Sequence, residues 1–172
     1  MDLSITTLIL LVLTPLLVWR VYNRIKARMM RQRSIVSRHY TGVLVFGAMI
    51  LVPLVQLFDK PFNLAALLVG AAFGTGWSMW AIKRTRFEDT PQGYYFTPPA
   101  RLGILMAMIL VARILYLGVE IYVNQGKGIP APRLTDDPLT MLCVGLTAGY
   151  FEYYSAGLLL WRRKLRKAID LE

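Results

Sequence analysis

Five apolar stretches, each close to the length that crosses a bilayer, run at residues 3–22, 40–57, 63–82, 101–123 and 138–161. A hydrocarbon core of about 30 Å takes about 20 helical residues to cross. Inside it every backbone N–H and C=O must be satisfied within the segment, so stretches of this length have to be helices. The chain therefore reads as an all-α polytopic membrane protein with five transmembrane helices, a single transmembrane domain over 1–172. A hydrophobic share of 56% agrees with this, because an ordinary soluble domain holds about 45–50%.

Residues 3–22 could also open a signal peptide. Asp2 in place of a positive n-region, and Arg20 in place of a small-residue cleavage site, favour a retained helix. Orientation follows from the basic residues. Arg20, Arg24, Lys26, Arg28, Arg31, Arg33 and Arg38 lie between the first two stretches, Lys83, Arg84, Arg86 and Arg101 between the third and fourth, and Arg162, Arg163, Lys164, Arg166 and Lys167 in the tail. The other side holds Lys60, Lys127 and Arg133, next to Asp2, Asp59, Asp136 and Asp137. The positive-inside rule then puts the N-terminus outside and the C-terminus in the cytoplasm. The formal charge of +10 is read as topogenic and as a match for anionic headgroups of the bilayer, not as a nucleic-acid surface.

The connections are short. Residues 20–39 interleave basic side chains with Ile25, Met29, Met30 and Ile35, the pattern of a helix lying on or extending from the membrane surface. Residues 85–97, TRFEDTPQGYYFT, differ: Pro91 and Gly93 suit a turn from Thr90 to Gly93, and the Thr, Phe and Tyr flanks favour strands. This predicts a small cytoplasmic β-hairpin between helices three and four, ended by Pro98 and Pro99, whose edge could dock a partner. Its aromatics could equally rest at headgroup level.

Ala66, Gly70, Gly74 and Ser78 recur every fourth residue on the third stretch, and Gly145 and Gly149 do so on the fifth. Such ridges let helix backbones approach closely. They serve packing within one subunit, with a homo-oligomer seam as the other use open to them. Pro15 and Pro53 remove backbone hydrogen bonds inside their helices.

Two apolar stretches carry charge near their centres, Arg113 and Glu152. A centred charge facing lipid costs about 3 kcal/mol on the translocon scale, so Arg113 should face protein or a water pocket. Arg113, Tyr116 and Glu120 share one helical stripe at i, i+3 and i+7. Counting inward from the ends of the stretches puts Glu152 near the depth of Arg113, which predicts a buried Arg113–Glu152 pair supported by Tyr150, Tyr153 and Tyr154. The pair could lock two helices together, line a polar cavity for a small anionic or redox-active ligand, or pass protons towards Glu120.

Other chemistry is poorly provided for. His39 is the chain's one histidine, so a bis-histidine haem site cannot form, and it is expected at the interface. Cys143, alone, excludes an intramolecular disulfide, a CxxC redox pair and a Cys-rich metal site. GxGxxG, Walker, HExxH and GxSxG motifs are missing from the sequence, and the serines lack a buried histidine as base. Five unequal stretches do not form the two matching halves of an inverted-repeat transporter.

The basic first loop, LLVGAAFGTG in the third stretch, TRFEDTPQGYYF, ARILY in the fourth and WRRKLRK at the close of the fifth together resemble the CcdC family of small bacterial membrane proteins. The resemblance is strongest from Leu64 to Lys167. Arg113, Phe87, Gly93 and Tyr95 fall within the matching pattern; Glu152 is not matched. The resemblance implies the bacterial cytoplasmic membrane and an association with cytochrome c biogenesis, whose better understood members move reducing equivalents through paired cysteines. With Cys143 alone, this chain would be an accessory or scaffold and not the electron carrier.

Two readings stand. One is a non-enzymatic accessory protein that docks membrane-protein partners through its hairpin and basic faces. The other is a ligand-binding or proton-conducting bundle centred on Arg113, Tyr116, Glu120, Glu152 and Tyr153. A cofactor is not assigned by either.

Overall fold

The computed structural model describes residues 5–28, 31–125 and 133–169. Helix α1 spans Ile5–Arg28, α2 Val36–Gln56, α3 Pro61–Arg84, α4 Ala100–Gln125 and α5 Pro138–Ile169, with a 3-10 turn at Leu134–Asp136 before α5. Three of these helices, Val36–Gln56, Pro61–Arg84 and Ala100–Asn124, are long and apolar enough to cross a membrane. Pro15 and Pro53 both lie inside continuous helices. Pro61 sits in the first turn of α3, where its missing N–H costs no hydrogen bond.

The centre of the molecule is the α3–α5 contact. These helices run parallel. A Cβ added at Gly70 would collide with the carbonyl of Leu142 and one at Gly74 with that of Leu146; Gly145 and Gly149 meet the backbones of Leu67 and Ala71 in return. The four glycines thus bring the two backbones into direct contact, so that dispersion between main chains replaces side-chain interdigitation. Helix α2 packs antiparallel on α5, with Phe46 stacked on Phe151 at 5.1 Å and Gly42 beneath Ser155. Helix α4 lies against another side of α5, where Thr147 Oγ1 donates to the Met106 carbonyl at 3.1 Å. Helix α1 makes its contacts with α4.

The hairpin expected at 85–97 is present as part of a larger unit. Strands β2 (Arg86–Thr90) and β3 (Gly93–Thr97) pair antiparallel, with Thr90 opposite Gly93 across a two-residue turn. Gly93 has φ +132°, a conformation that side chains resist. A third strand, β1 (Gln32–Arg33), pairs with β3 to give the order β1-β3-β2. This corrects the expectation of a surface helix through residues 20–39: α1 carries the helix as far as Arg28, and by Gln32 the chain is a strand. The reason is the open edge of β3, whose Tyr94 carbonyl also accepts the Ser34 N–H at 2.8 Å, satisfying backbone groups that an isolated two-residue strand could not.

The glycine seam can be tested by contrast. Gly74→Leu should destabilise the bundle by about 1–3 kcal/mol or more, because the clash is with backbone that cannot repack. Gly76→Leu, on the same helix with open space around it, should be close to neutral. Unfolding of both variants in a denaturant titration in detergent measures the difference.

Candidate functional site

The polar groups predicted to meet at one point are distributed over two separate places. Arg113 Nη2 donates to Asp137 Oδ2 at 2.5 Å and Arg113 Nε to Thr140 Oγ1 at 2.9 Å. The same carboxylate oxygen accepts the Thr140 hydroxyl at 2.6 Å and the Thr140 backbone N–H at 2.7 Å. Asp137 stands directly before Pro138, so it is the N-cap of α5, with proline at the first helical position and Thr140 at the third. Helix α5 therefore begins by tying its first turn to a cation on α4. Tyr116 lies under the Arg113 guanidinium, its ring centroid at 5.0 Å. Glu120, one turn further, is half-buried.

The predicted Arg113–Glu152 pair is not formed. Thr147 meets Met106 and Thr140 meets Arg113, so seven residues along α4 correspond to seven back along α5. Continuing that register puts Glu152 level with Arg101, about 18 Å along the helix from Arg113. Counting inward from the apolar limits of each stretch misplaces the two because α4 runs past the start of α5. Glu152 instead faces α2, with Oε1 towards Gly47. Of the tyrosines expected to support the pair, Tyr154 shares a hydrogen bond with Thr85 Oγ1 at 2.8 Å, Tyr150 stacks on Tyr154 at 6.1 Å, and Tyr153 is exposed on the far side of α5.

The second place is the junction between the sheet and the bundle. Strand alternation divides the sheet into two faces. Phe87, Tyr94 and Phe96 point inward: Phe87 packs on Trp161 at 4.5 Å, Tyr94 meets Trp161 at 6.1 Å and lies beneath Arg162 at 3.9 Å, and Phe96 packs edge-on to His39 at 5.7 Å. His39 is buried within the protein, and its Nε2 shares a hydrogen bond with Ser34 Oγ at 2.9 Å. The strand that the sequence did not reveal, β1, is the reason: it brings Ser34 and Phe96 over the first turn of α2. A cleft of about 360 Å³ opens below, lined by His39, Gly42, Phe46, Phe96, Tyr150 and Ser155 among others.

The outer face of the sheet carries Arg31, Arg33, Glu88 and Tyr95. Arg31 Nε pairs with Glu88 Oε2 at 2.8 Å and its guanidinium lies 4.2 Å from the centre of the Tyr95 ring. Gly93 sits at the turn, covered by Arg33. The three hairpin residues singled out from the sequence thus have different places: Phe87 anchors the sheet, Gly93 closes the turn, and Tyr95 faces outward. Among the described residues, no group of three or more His, Cys, Asp or Glu side chains could hold a metal ion.

A family model described as the CcdC protein matches residues 3–168. The chain belongs to the CcdC family. No curated protein and no solved structure matches it. In this CcdC-family chain the match takes in α1 to α4, the sheet and all of α5 but its last residue.

Missing from the sequence reading are Asp137 and Thr140. The signal for them was DPLT, an acidic N-cap with proline at the next position, which marks a helix start. Burial opposes the charge on Asp137, but the Thr140 hydroxyl and N–H and the Arg113 guanidinium outweigh it and hold this carboxyl below its usual range. A lowered pKa means stabilisation that is complete above the unfolded value, about 3.9, and is lost as pH falls through the folded value. Wild-type protein should therefore lose stability on acidification below about pH 4, and Asp137→Asn, which keeps the cap, should show less of that loss. At neutral pH the same variant should cost about 2 kcal/mol, between the exposed and buried limits for an ion pair, since the two side chains are 12% and 32% exposed. Denaturant midpoints measured from pH 3 to pH 7 give both quantities.

Proposed function

We propose that this CcdC-family chain is a non-enzymatic accessory or scaffold protein of the bacterial cytoplasmic membrane. In this reading five helices cross the bilayer, with the N-terminus outside and the C-terminus in the cytoplasm. The sheet is then a cytoplasmic platform that docks membrane-protein partners in cytochrome c biogenesis.

The observation that carries the reading is the two-faced sheet. Its inner face is committed to Trp161, Arg162 and His39, while its outer face presents Arg31, Glu88 and Tyr95. Among the described residues β2 has a strand on one side only, so its other edge offers backbone N–H and C=O groups to an extended partner segment. Arg86, Glu88 and Asp89 along that edge discourage indiscriminate pairing and favour a partner of matching charge. The sheet is also held in place, since Thr85, directly before β2, is bonded to Tyr154, and a preorganised surface loses less entropy on binding. The competing bundle reading relied on Arg113 and Glu152 acting together, and the register of α4 and α5 separates them.

The test is covalent haem in c-type cytochromes, by peroxidase staining of membranes from a strain lacking this chain and from complemented strains. Loss of stain, restored by the wild-type chain and by Glu152→Gln but not by Tyr95→Ala, is the expected result. Tyr95→Ala is the sharper variant, because Phe87→Ala would also loosen the anchor on Trp161. Unchanged stain without the chain would overturn the biogenesis link. A silent Tyr95→Ala together with a null Glu152→Gln would overturn docking.

A further inference from the structure

Between the ends of α3 and α5 nearest the sheet runs an open groove of about 380 Å³ that shares no wall with the cleft under His39. Tyr153, Ala156, Gly157, Leu160, Trp161 and Lys164 recur every three or four residues along one face of α5, and Met79, Ile82 and Lys83 do so on α3. The parallel glycine seam sets these stripes side by side, with Gly157 against Ile82. Small side chains at 156 and 157 make the contact a trough. Its lower part is apolar and open, Met79 and Leu160 being 48% and 57% exposed. Its upper part carries two cations, and among the described residues the carboxylates found in ion pairs, Glu88, Asp136 and Asp137, are joined to other bases.

We propose that this groove binds an anionic phospholipid, one acyl chain lying over Ala156 and Gly157 and the phosphate between Lys83 and Lys164. The two lysines differ in height. Lys164 lies seven residues beyond Gly157, about 10 Å along the axis, and Lys83 lies one residue beyond Ile82. Their flexible stems let both ammonium groups reach one headgroup from above and below. Trp161 and Tyr153 supply aromatic rings with a polar edge, the kind that settle at the membrane interface. A zwitterionic lipid would fill the same trough but gain little from the lysines, whereas an anionic one gains roughly fivefold for each of them. The outer face of the sheet takes no part, so the docking reading stands or falls separately.

The experiment uses the full chain with Trp19→Phe, Trp77→Phe and Trp80→Phe, which leaves Trp161 as the sole tryptophan. It is placed in phosphatidylcholine vesicles doped with brominated phosphatidylglycerol or brominated phosphatidylcholine. Half-quenching of Trp161 is expected at roughly 25-fold lower mole fraction of the anionic lipid. Lys83→Gln with Lys164→Gln, both on exposed side chains, should bring the two curves together without moving the phosphatidylcholine curve. Equal quenching by both lipids in the starting chain would overturn the proposal, as would a preference that survives the double lysine change. Millimolar inorganic phosphate that abolishes the preference would assign the lysines to a free anion instead of a lipid.

Discussion

Backbone contact between α3 and α5 sets the rest of the molecule. Two helices brought this close by Gly70, Gly74, Gly145 and Gly149 have little freedom to slide, since each glycine is seated against a carbonyl of its neighbour. The seam is parallel because one helix, α4, intervenes and returns antiparallel along another side of α5. Everything at either end inherits this register. At one end Asn63 Nδ2 of α3 donates to the Thr135 carbonyl at 2.8 Å in the turn before α5, and Lys60 pairs with Asp136 beside it. At the other end Thr85 meets Tyr154 and the sheet settles on Trp161.

Charge follows from packing in this fold. Arg113 cannot reach Glu152 because the contact between Met106 and Thr147 fixes α4 against α5 in a register that carries the two apart. It can reach the first turn of α5, where an N-cap carboxylate has to be in any case. One aspartate thereby serves two needs, the unsatisfied N–H of a helix start and the counter-charge of an arginine. The intervening Thr140 hydroxyl donates to the aspartate and accepts from the arginine, so the three side chains form one hydrogen-bonded group. A group bonded in this way is suited to holding helices together.

How much of this was legible in the sequence depended on how local each signal was. The hairpin was readable because Pro91 and Gly93 dictate a two-residue turn between aromatic flanks, and the turn is local chemistry. Apolar length is as local a signal, and of the five stretches it picked out, the helices α2, α3 and α4 are long and apolar enough to cross a membrane. Strand β1 was not readable. Gln32 and Arg33 have no strand pattern of their own, and they become a strand because β3, far along the chain, has an edge to fill. The partner of Arg113 was hidden for a related reason. Depth was inferred from where apolar residues stop, and Asp137, lying just outside that limit, was counted as loop. Helix ends in a membrane protein are set by neighbouring helices as well as by hydropathy, and only the former could have placed Asp137 beside Arg113.

The sheet and the groove meet at Trp161. One side of its indole carries Phe87, and its helix face continues into Ala156 and Gly157. The platform is therefore seated on the same turn of α5 that forms the wall of the trough, through the rings of Phe87 and Tyr94 on its inner face. This is the arrangement expected of a small sheet that could not be stable alone. It is stabilised by burying its aromatic face on a helix end, and the length of α5, which continues to Ile169 well beyond the level where α3 stops, is what provides that end. The basic residues Arg162 and Arg163 on this extension are used in the same way, over the rings of Tyr94 and Tyr40. A run that reads in sequence as a topogenic tail is also the support on which the outward-facing surface of the protein rests.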